Sequence, residues 1–355
     1  MTKEATVYIL GAGATRGAFG GDTHPPVDKD FFDIAKHIEG RGTPELANRV
    51  LDQVWDLYKQ TSEVSLEYYF RDIESRNIFT NVIKSLGQPK KWENRLRDLR
   101  ELICRIYIQT TCTLSNNHLQ PRQSKSHKKI LHKMKQGDVI VTFNYDLVIE
   151  ESFVKSNHQH WNPRYGYGVE VSHGLDSAWA RRWINSLPKH KRKDYRFPKS
   201  NLILLKLHGS LNWRINKYKR IILKPYPFLV STSKGHHPRR ESVAIIPPSI
   251  LKDITETPYS KIWQIARRSL ENCQTIVIIG YSLPETDFMA HSLLNEVVRS
   301  RLSRNKPNYL KMIHLVDPDV KIIDKFVSIF TPVLGARGKI YKYKTFNDFC
   351  SKWKG

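Results

Sequence analysis

The sequence predicts an α/β protein, with a parallel sheet, helices on both of its faces and an added helical lobe. Three observations lead there. Short apolar runs recur at 6–10, 138–143, 201–207, 275–279 and 310–316, and their continuity implies strands buried on both faces. Amphipathic helical stretches separate them. Most of the runs stop at a glycine or a polar cluster, as strands do where a parallel sheet offers its carboxyl ends to a ligand.

The elements follow in order. Thr6-Val7-Tyr8-Ile9-Leu10 is a strand that runs into Gly11-Ala12-Gly13. From 28 to 60 the pattern is helical, with Phe31, Phe32, Ile34, Ala35 and Ile38, then Leu46, Val50, Val54 and Leu57. Two more amphipathic stretches cover 66–86 and 93–114, the second carrying Leu96, Leu99, Ile103, Ile106 and Tyr107. Residues 120–126 read as a polar, basic linker. The strand at 138–143 precedes a helix from about Leu147. Residues 157–200 show no clear period and read as an insertion. After the strand at 201–207, a short strand at 243–246 ends in Pro247-Pro248, and 260–270 is helical. A buried strand at 275–279 ends at Gly280. The helix at 287–299 turns Phe288, Leu293, Leu294 and Val297 inward, and the strand at 310–316 ends at Asp317. Lysines at 339–344 mark an edge strand. The whole is a Rossmann-like single domain over 1–355, with a helical lobe at about 31–136 and a basic insertion at about 157–200.

Composition excludes several classes. With 40% hydrophobic, 11% aromatic and 26% charged residues, the chain is neither disordered nor of low complexity. It holds no run of 18 apolar residues, so no membrane span is expected. No signal-peptide core precedes the first strand, and a cytoplasmic location is expected. Cys104, Cys112, Cys273 and Cys350 are scattered, with no CxxC pair, so no metal site is expected.

The net charge of +24 is unevenly placed. Segments 120–136, 181–200 and 214–240 together carry +21 of it. Such segments serve solubility, or they dock nucleic acid or an acidic partner. Trp179, Trp183, Tyr195, Phe197, Trp213 and Tyr218 lie among them, suited to base stacking or to local core.

Four strand ends carry candidate chemistry. Gly11-Ala12-Gly13-Ala14-Thr15 either lets backbone N–H groups approach a pyrophosphate or makes a tight strand-to-helix turn. In Thr142-Phe143-Asn144-Tyr145-Asp146, an amide and a carboxylate two residues apart face one ligand or cap the next helix. In Lys206-Leu207-His208-Gly209-Ser210, the histidine is a general base or a structural side chain. In Gly280-Tyr281-Ser282-Leu283-Pro284-Glu285-Thr286-Asp287, glycine permits close approach and Ser282 suits a phosphate. Asp287 binds ligand or caps a helix.

In type and order these motifs resemble those of the sirtuin superfamily: a GAG-x-S/T loop, an N-x-D strand end, a His-Gly strand end, a Gly-x-Ser strand end and a late ribose-binding strand. Residues 5–32, 138–153, 202–213 and 244–330 carry the resemblance. The IGYSLPETD segment at 279–287 looks most like bacterial sirtuin-like NADases of anti-phage defence. There are departures. The four-cysteine zinc ribbon of the deacylases has no counterpart here, Phe143 stands where they place Gln, and His24-Pro25-Pro26-Val27 replaces their cofactor loop.

The resemblance implies NAD⁺ as substrate, cleaved to nicotinamide and ADP-ribose. It implies that Asn144 holds ribose or water, that His208 accepts a proton, and that Asp146 serves the nicotinamide side. Gly11, Ala12, Gly13 and Thr15 would line the pyrophosphate, Gly280 and Ser282 a phosphate, and Asp317 the adenosine ribose. It further implies a homo-oligomer, or a partner such as an ATPase, an Argonaute-like protein or a phage trigger, acting in abortive infection. Two alternatives stand beside it. One is a catalytically silent nucleotide- or nucleic-acid-binding subunit of a defence complex. The other is an NAD-dependent protein deacylase, which lacks here the zinc lobe that frames a peptide groove.

Overall fold

The computed structural model describes residues 5–19, 24–39, 43–83, 89–115, 118–156, 160–169, 171–172, 184–185, 200–215, 218–223, 243–246, 257–303 and 309–353. Most of the basic segments 181–200 and 214–240 therefore lie outside the described residues, as do Trp179, Trp183, Tyr195 and Phe197.

In chain order, β1 (Thr6–Leu10) enters the short α1 (Ala12–Arg16). The helices α2 (Phe31–Lys36), α3 (Thr43–Tyr58), α4 (Leu66–Val82) and α5 (Pro89–Thr111) follow. A hairpin of β2 (Cys112–Ser115) and β3 (His118–Pro121) leads to α6 (Lys125–Leu131). Then come β4 (Val139–Thr142), α7 (Val148–Ser156), β5 (Val171–Ser172), β6 (Ile203–Lys206), β7 (Gly209–Ile215), β8 (Ile221–Leu223) and β9 (Val243–Ile245). The chain closes with α8 (Tyr259–Asn272), β10 (Thr275–Ile279), α9 (Phe288–Leu302), β11 (Leu310–Val316), α10 (Val320–Phe330), β12 (Leu334–Tyr343) and α11 (Phe346–Lys352).

The main sheet has six strands in the order β12-β11-β10-β1-β4-β6, and every pairing is parallel. Counted within the sheet, that is the doubly wound order 3-2-1-4-5-6, whose winding reverses between β1 and β10. The apolar strands require this setting. All residues of β4 and β10 are buried, so helices must cover both faces. At the edge, β12 is half-buried or exposed up to the buried Tyr343, and Lys339 and Lys342 keep it from pairing further. Among the described residues, no helix is long and apolar enough to cross a membrane.

Two apolar clusters result. The larger surrounds the sheet. The smaller is built by α2–α5 from Phe31, Leu46, Val50, Tyr69, Phe70 and Leu99 among others, and it reaches the sheet side through Tyr145, Leu211 and Ile245. The helical lobe thus rests on the turn that carries Asn144. Its own core stops before α6, since Ile130, Leu131 and Met134 belong to the sheet core.

Several expectations need correction. Residues 120–126 are not a linker: 118–121 pair with 112–115, and Ser124 caps α6 by accepting the His127 amide at 3.1 Å. The helical pattern at 28–60 breaks into a single 3-10 turn, α2 and α3. Phe288 is exposed, because it is the first residue of α9 and precedes the buried stripe of Ala290, Leu293, Leu294 and Val297. The first part of 157–200 is core: Trp161 stacks on Phe153 at 4.6 Å, and Tyr167 is fully buried. Trp213 is core as well, whereas Tyr218 is exposed. Sequence periodicity misses Trp161 and Tyr167 because they lie in irregular turns.

Burial has a pH consequence. It pushes the His127 imidazole down to about 4 from an ordinary value of 6.5, and His314 likewise to about 4. Between pH 6.5 and 4 the unfolded chain then binds more protons than the native one, so stability falls as pH falls through that window. The expected slope is about 1.4 kcal/mol per pH unit for each such histidine. Chemical denaturation between pH 7.5 and 4.5 checks this: His127→Gln should flatten the acid slope, and an unchanged slope removes His127 as its source.

Candidate functional site

All five candidate strand ends lie on one edge, because β6, β4, β1, β10 and β11 run parallel. At the switch point the turn after β1 touches the end of β10 backbone to backbone. Gly11 N donates to Ile279 O at 3.1 Å, and Gly13 N donates to Gly280 O at 2.9 Å. A Cβ on Gly280, whose φ is +55°, would stand 2.3 Å from Ala14 N and 2.4 Å from Gly13 C. A Cβ on Gly11 would stand 2.5 Å from Gly280 O. These glycines are therefore required by the contact itself.

Next to them a buried polar chain forms. Asn144 Nδ2 donates to Gly11 O at 2.9 Å and lies 3.1 Å from Thr15 Oγ1. Thr15 Oγ1 donates to Asp146 Oδ2 at 2.9 Å. Asp146 Oδ1 accepts the Val148 amide at 3.0 Å and so caps α7. Both oxygens of Asp146 are engaged by the protein, and the carboxylate positions Thr15.

Below this chain lies a buried ion pair. Lys206 Nζ stands 3.0 Å from Glu150 Oε1 and donates to the Asp146 carbonyl. Tyr167 Oη donates to the same Glu150 oxygen at 3.2 Å. Burial raises the Glu150 carboxyl above its ordinary range, and the Lys206 charge opposes that rise. Lys206 links the base of α7 to the strand that ends in His208.

His208 lies within an aromatic layer. Phe143 meets it edge-on, with ring centres 5.1 Å apart, and stacks face to face on Tyr281 at 4.0 Å. Phe143 follows β4 and Tyr281 follows β10, so the stacked pair meets across the end of β1. Tyr145 lies 6.3 Å from His208 and donates to Ile246 O at 3.0 Å. His208 Nε2 is 3.4 Å from Asp287 Oδ2.

The candidates divide accordingly. Gly11, Gly13, Thr15, Asn144, Asp146 and Gly280 form one contiguous cluster, with Ala12 opening α1 beside it. His208 joins it through Phe143 and Tyr281. Ser282 is exposed at the rim, where its carbonyl and that of Leu283 accept from Lys325 Nζ. Asp317 lines a separate small pocket with Ile278, Tyr281, Ile322 and Phe326. Its carboxyl is raised by burial, and its Oδ1 accepts the Asp319 amide at 2.9 Å. Sequence reading missed the partnership of Asp287 with His208 and the Lys206–Glu150 pair. A signal for the pair was available: two charges at positions where strand and helix patterns call for apolar residues.

The four thiols are free: Cys104 lies on α5, Cys112 on β2 and Cys350 on α11, and Cys273 follows α8. Burial pushes Cys104 up to about 12, and Cys273 and Cys350 up to about 11, which keeps them neutral and poor ligands. Among the described residues, no group of three His, Cys, Asp or Glu side chains converges on a metal position.

Residues 138–314, which run from β4 into β11, match the family model of the SIR2-like domain. Over that stretch the chain is a SIR2-like domain of the sirtuin-like superfamily. No curated protein matches it. The solved structures that match include the crystal structure of a Sir2 homolog–NAD complex, at 13% identity and a TM-score of 0.40, covering 99% of this chain and 88% of that one.

The ion pair gives a stability test. Lys206→Met leaves Glu150 buried without its counter-charge and should cost about 3–5 kcal/mol in denaturant unfolding. Lys206→Met combined with Glu150→Leu should recover most of that loss. A double variant no more stable than the single one would refute the assignment of the cost to the unpaired charge.

Proposed function

We propose that this protein is an NAD⁺ glycohydrolase that releases nicotinamide and ADP-ribose. The observation that carries the reading is the meeting of Gly11, Gly13, Thr15, Asn144 and His208 at the switch point of a SIR2-like sheet. Cleavage of the glycosidic bond builds positive charge on the ribose, so the site must orient ribose and water and needs no strong nucleophile. Asn144, fixed by Gly11 O and Thr15, orients the ribose or the water. His208 accepts the proton, an effect of about 10²–10⁴-fold for a general base. Asp146 acts through Thr15 and lies near the developing charge. Gly280 and Ser282 serve the phosphates, and Asp317, at the end of β11, serves the adenosine ribose. The carbonyl-facing amides of Gly11 and Gly13 limit how many N–H groups of the first turn remain for the pyrophosphate.

The role proposed is that of an abortive-infection effector in bacterial anti-phage defence, acting in the cytoplasm and held off until triggered. The Phe143–Tyr281 stack across the end of β1 supports a resting form that must open. Opening would come with homo-oligomerisation or with a partner of the ATPase, Argonaute-like or phage-protein kind. One SIR2-like catalytic domain over 1–355, with its helical lobe and basic insertion, would suffice for this. The engagement of both Asp146 oxygens and of the Asn144 amide by the protein itself favours a second reading, a silent nucleotide-binding subunit.

Chromatographic measurement of free nicotinamide, with and without phage lysate, separates the two. Asn144→Ala and His208→Ala should each abolish release while the protein stays folded by circular dichroism. A His208→Ala variant that keeps more than about a tenth of wild-type turnover would contradict the general-base role.

The basic segments 120–136, 181–200 and 214–240 should bind nucleic acid at low salt. The expected log–log slope of affinity against salt is roughly −4 to −7 if about five to eight phosphates are met. Reversal of Lys191, Arg192 and Lys193 to Glu should weaken binding and reduce the slope. Absence of retention on a filter at about 50 mM salt assigns the charge to solubility or to an acidic protein partner.

A further inference from the structure

The loop that leaves β10 returns a carboxylate to the site. Asp287 is 1% exposed, and its Oδ2 lies 3.4 Å from His208 Nε2. The same oxygen accepts from Tyr281 Oη at 3.2 Å. Its other oxygen, Oδ1, accepts the Ala290 amide at 3.3 Å and caps α9. A cap alone requires one oxygen and no charge, and asparagine caps a helix as well as aspartate does. The oxygen turned to His208 is the one for which charge matters.

We infer that Asp287 is a positioning residue for His208. It holds the ring through Nε2–H, which makes Nδ1 the acceptor in the neutral imidazole, and it stabilises the imidazolium that forms when His208 takes a proton. This deepens the hydrolase reading and rests on it for the reaction, though not for the pairing. In the reaction a water O–H gives its proton to Nδ1, and the water oxygen bonds to ribose C1′. The bond from C1′ to the nicotinamide nitrogen breaks, and its electron pair goes to that nitrogen. Nicotinamide leaves neutral, the proton rests on His208 beside the Asp287 carboxylate, and it then passes to solvent.

The surroundings of His208 support the assignment. From the end of β4 come Phe143 and Tyr145, from the β10 loop Tyr281 and Asp287, and from the end of β9 the Ile246 amide, which donates to the His208 carbonyl at 2.7 Å. Burial raises the Tyr145 and Tyr281 phenols well above their ordinary value, so both stay neutral. Lys206, two residues earlier on the same chain, is turned toward Glu150 and the Asp146 carbonyl. Glu67 of α4 reaches the β10 loop through a hydrogen bond from Thr286. The Asp287 carboxylate lies within ion-pair distance of the ring.

The test uses full-length protein carrying ¹³Cε1-histidine, with the His208 resonance identified by its loss in His208→Gln. Asp287→Asn keeps the cap and removes the charge. It should lower the His208 pKa by about one unit, a tenfold loss of proton affinity. Tyr281→Phe removes a competing donor from Oδ2 and should raise that pKa. An unmoved pKa in Asp287→Asn overturns the inference. If that variant does not fold, a Tyr281→Phe variant with no rise overturns it instead. Nicotinamide release is followed against pH in the same samples, with and without phage lysate. No release from wild type, with the titration shift intact, overturns the hydrolase reading alone. Release from wild type and Asp287→Asn with identical pH profiles and identical His208 titration overturns the role of Asp287 alone.

Discussion

The arrangement depends on a contact between two pieces of backbone. Where the sheet reverses its winding, the turn after β1 and the end of β10 approach until only hydrogen atoms fit between them, and Gly13 N donates to Gly280 O at 2.9 Å. Parallel strands usually diverge at their carboxyl ends at such a point and leave a crevice. Here the glycines draw the ends together. This brings Gly11 O within reach of Asn144 and places Thr15 beside Asp146. A side chain at Gly280 would separate the two ends and with them the polar chain that depends on their spacing.

The polar groups of this region are held by one another. Asn144, Thr15 and Asp146 are all buried, and each hydrogen bond leads to the next. Unpaired, such groups would cost about 1–3 kcal/mol each in desolvation. Lys206 and Glu150 continue the network inward, a pairing that is tolerable in the interior because Asp146 O and Tyr167 add further hydrogen bonds. The result is a hydrogen-bonded floor, and the aromatic layer of Phe143, Tyr145 and Tyr281 around His208 lies beside it.

That layer is shared between parts of the molecule distant in sequence. Tyr145 belongs both to the site and to the lobe, where Tyr107 of α5 packs edge-on against it at 5.7 Å. Glu67 at the start of α4 holds Thr286 of the β10 loop, and its own amide donates to Asp28 at 2.7 Å. The lobe therefore touches both the turn after β4 and the loop that carries Asp287.

Much of this was legible in the chain alone. Strands buried on both faces must be apolar throughout, so TVYIL, VIVT and TIVII identified themselves, and parallel pairing then sent Gly11, Asn144, His208, Gly280 and Asp317 to one edge. Local composition carries that information because burial on two faces acts on every residue of a strand. The sequence could not show which oxygen of Asp146 faces Thr15, nor that Asp287 both caps α9 and meets His208. It also could not show that Trp161 and Tyr167 belong to the core, or that 118–121 closes a hairpin. These depend on approaches between segments distant in sequence, as with the 131 residues that separate Thr15 from Asp146, or on turns without a period. Such distances are decided only when the sheet has closed, and the glycines at its switch point have determined how near its strand ends come.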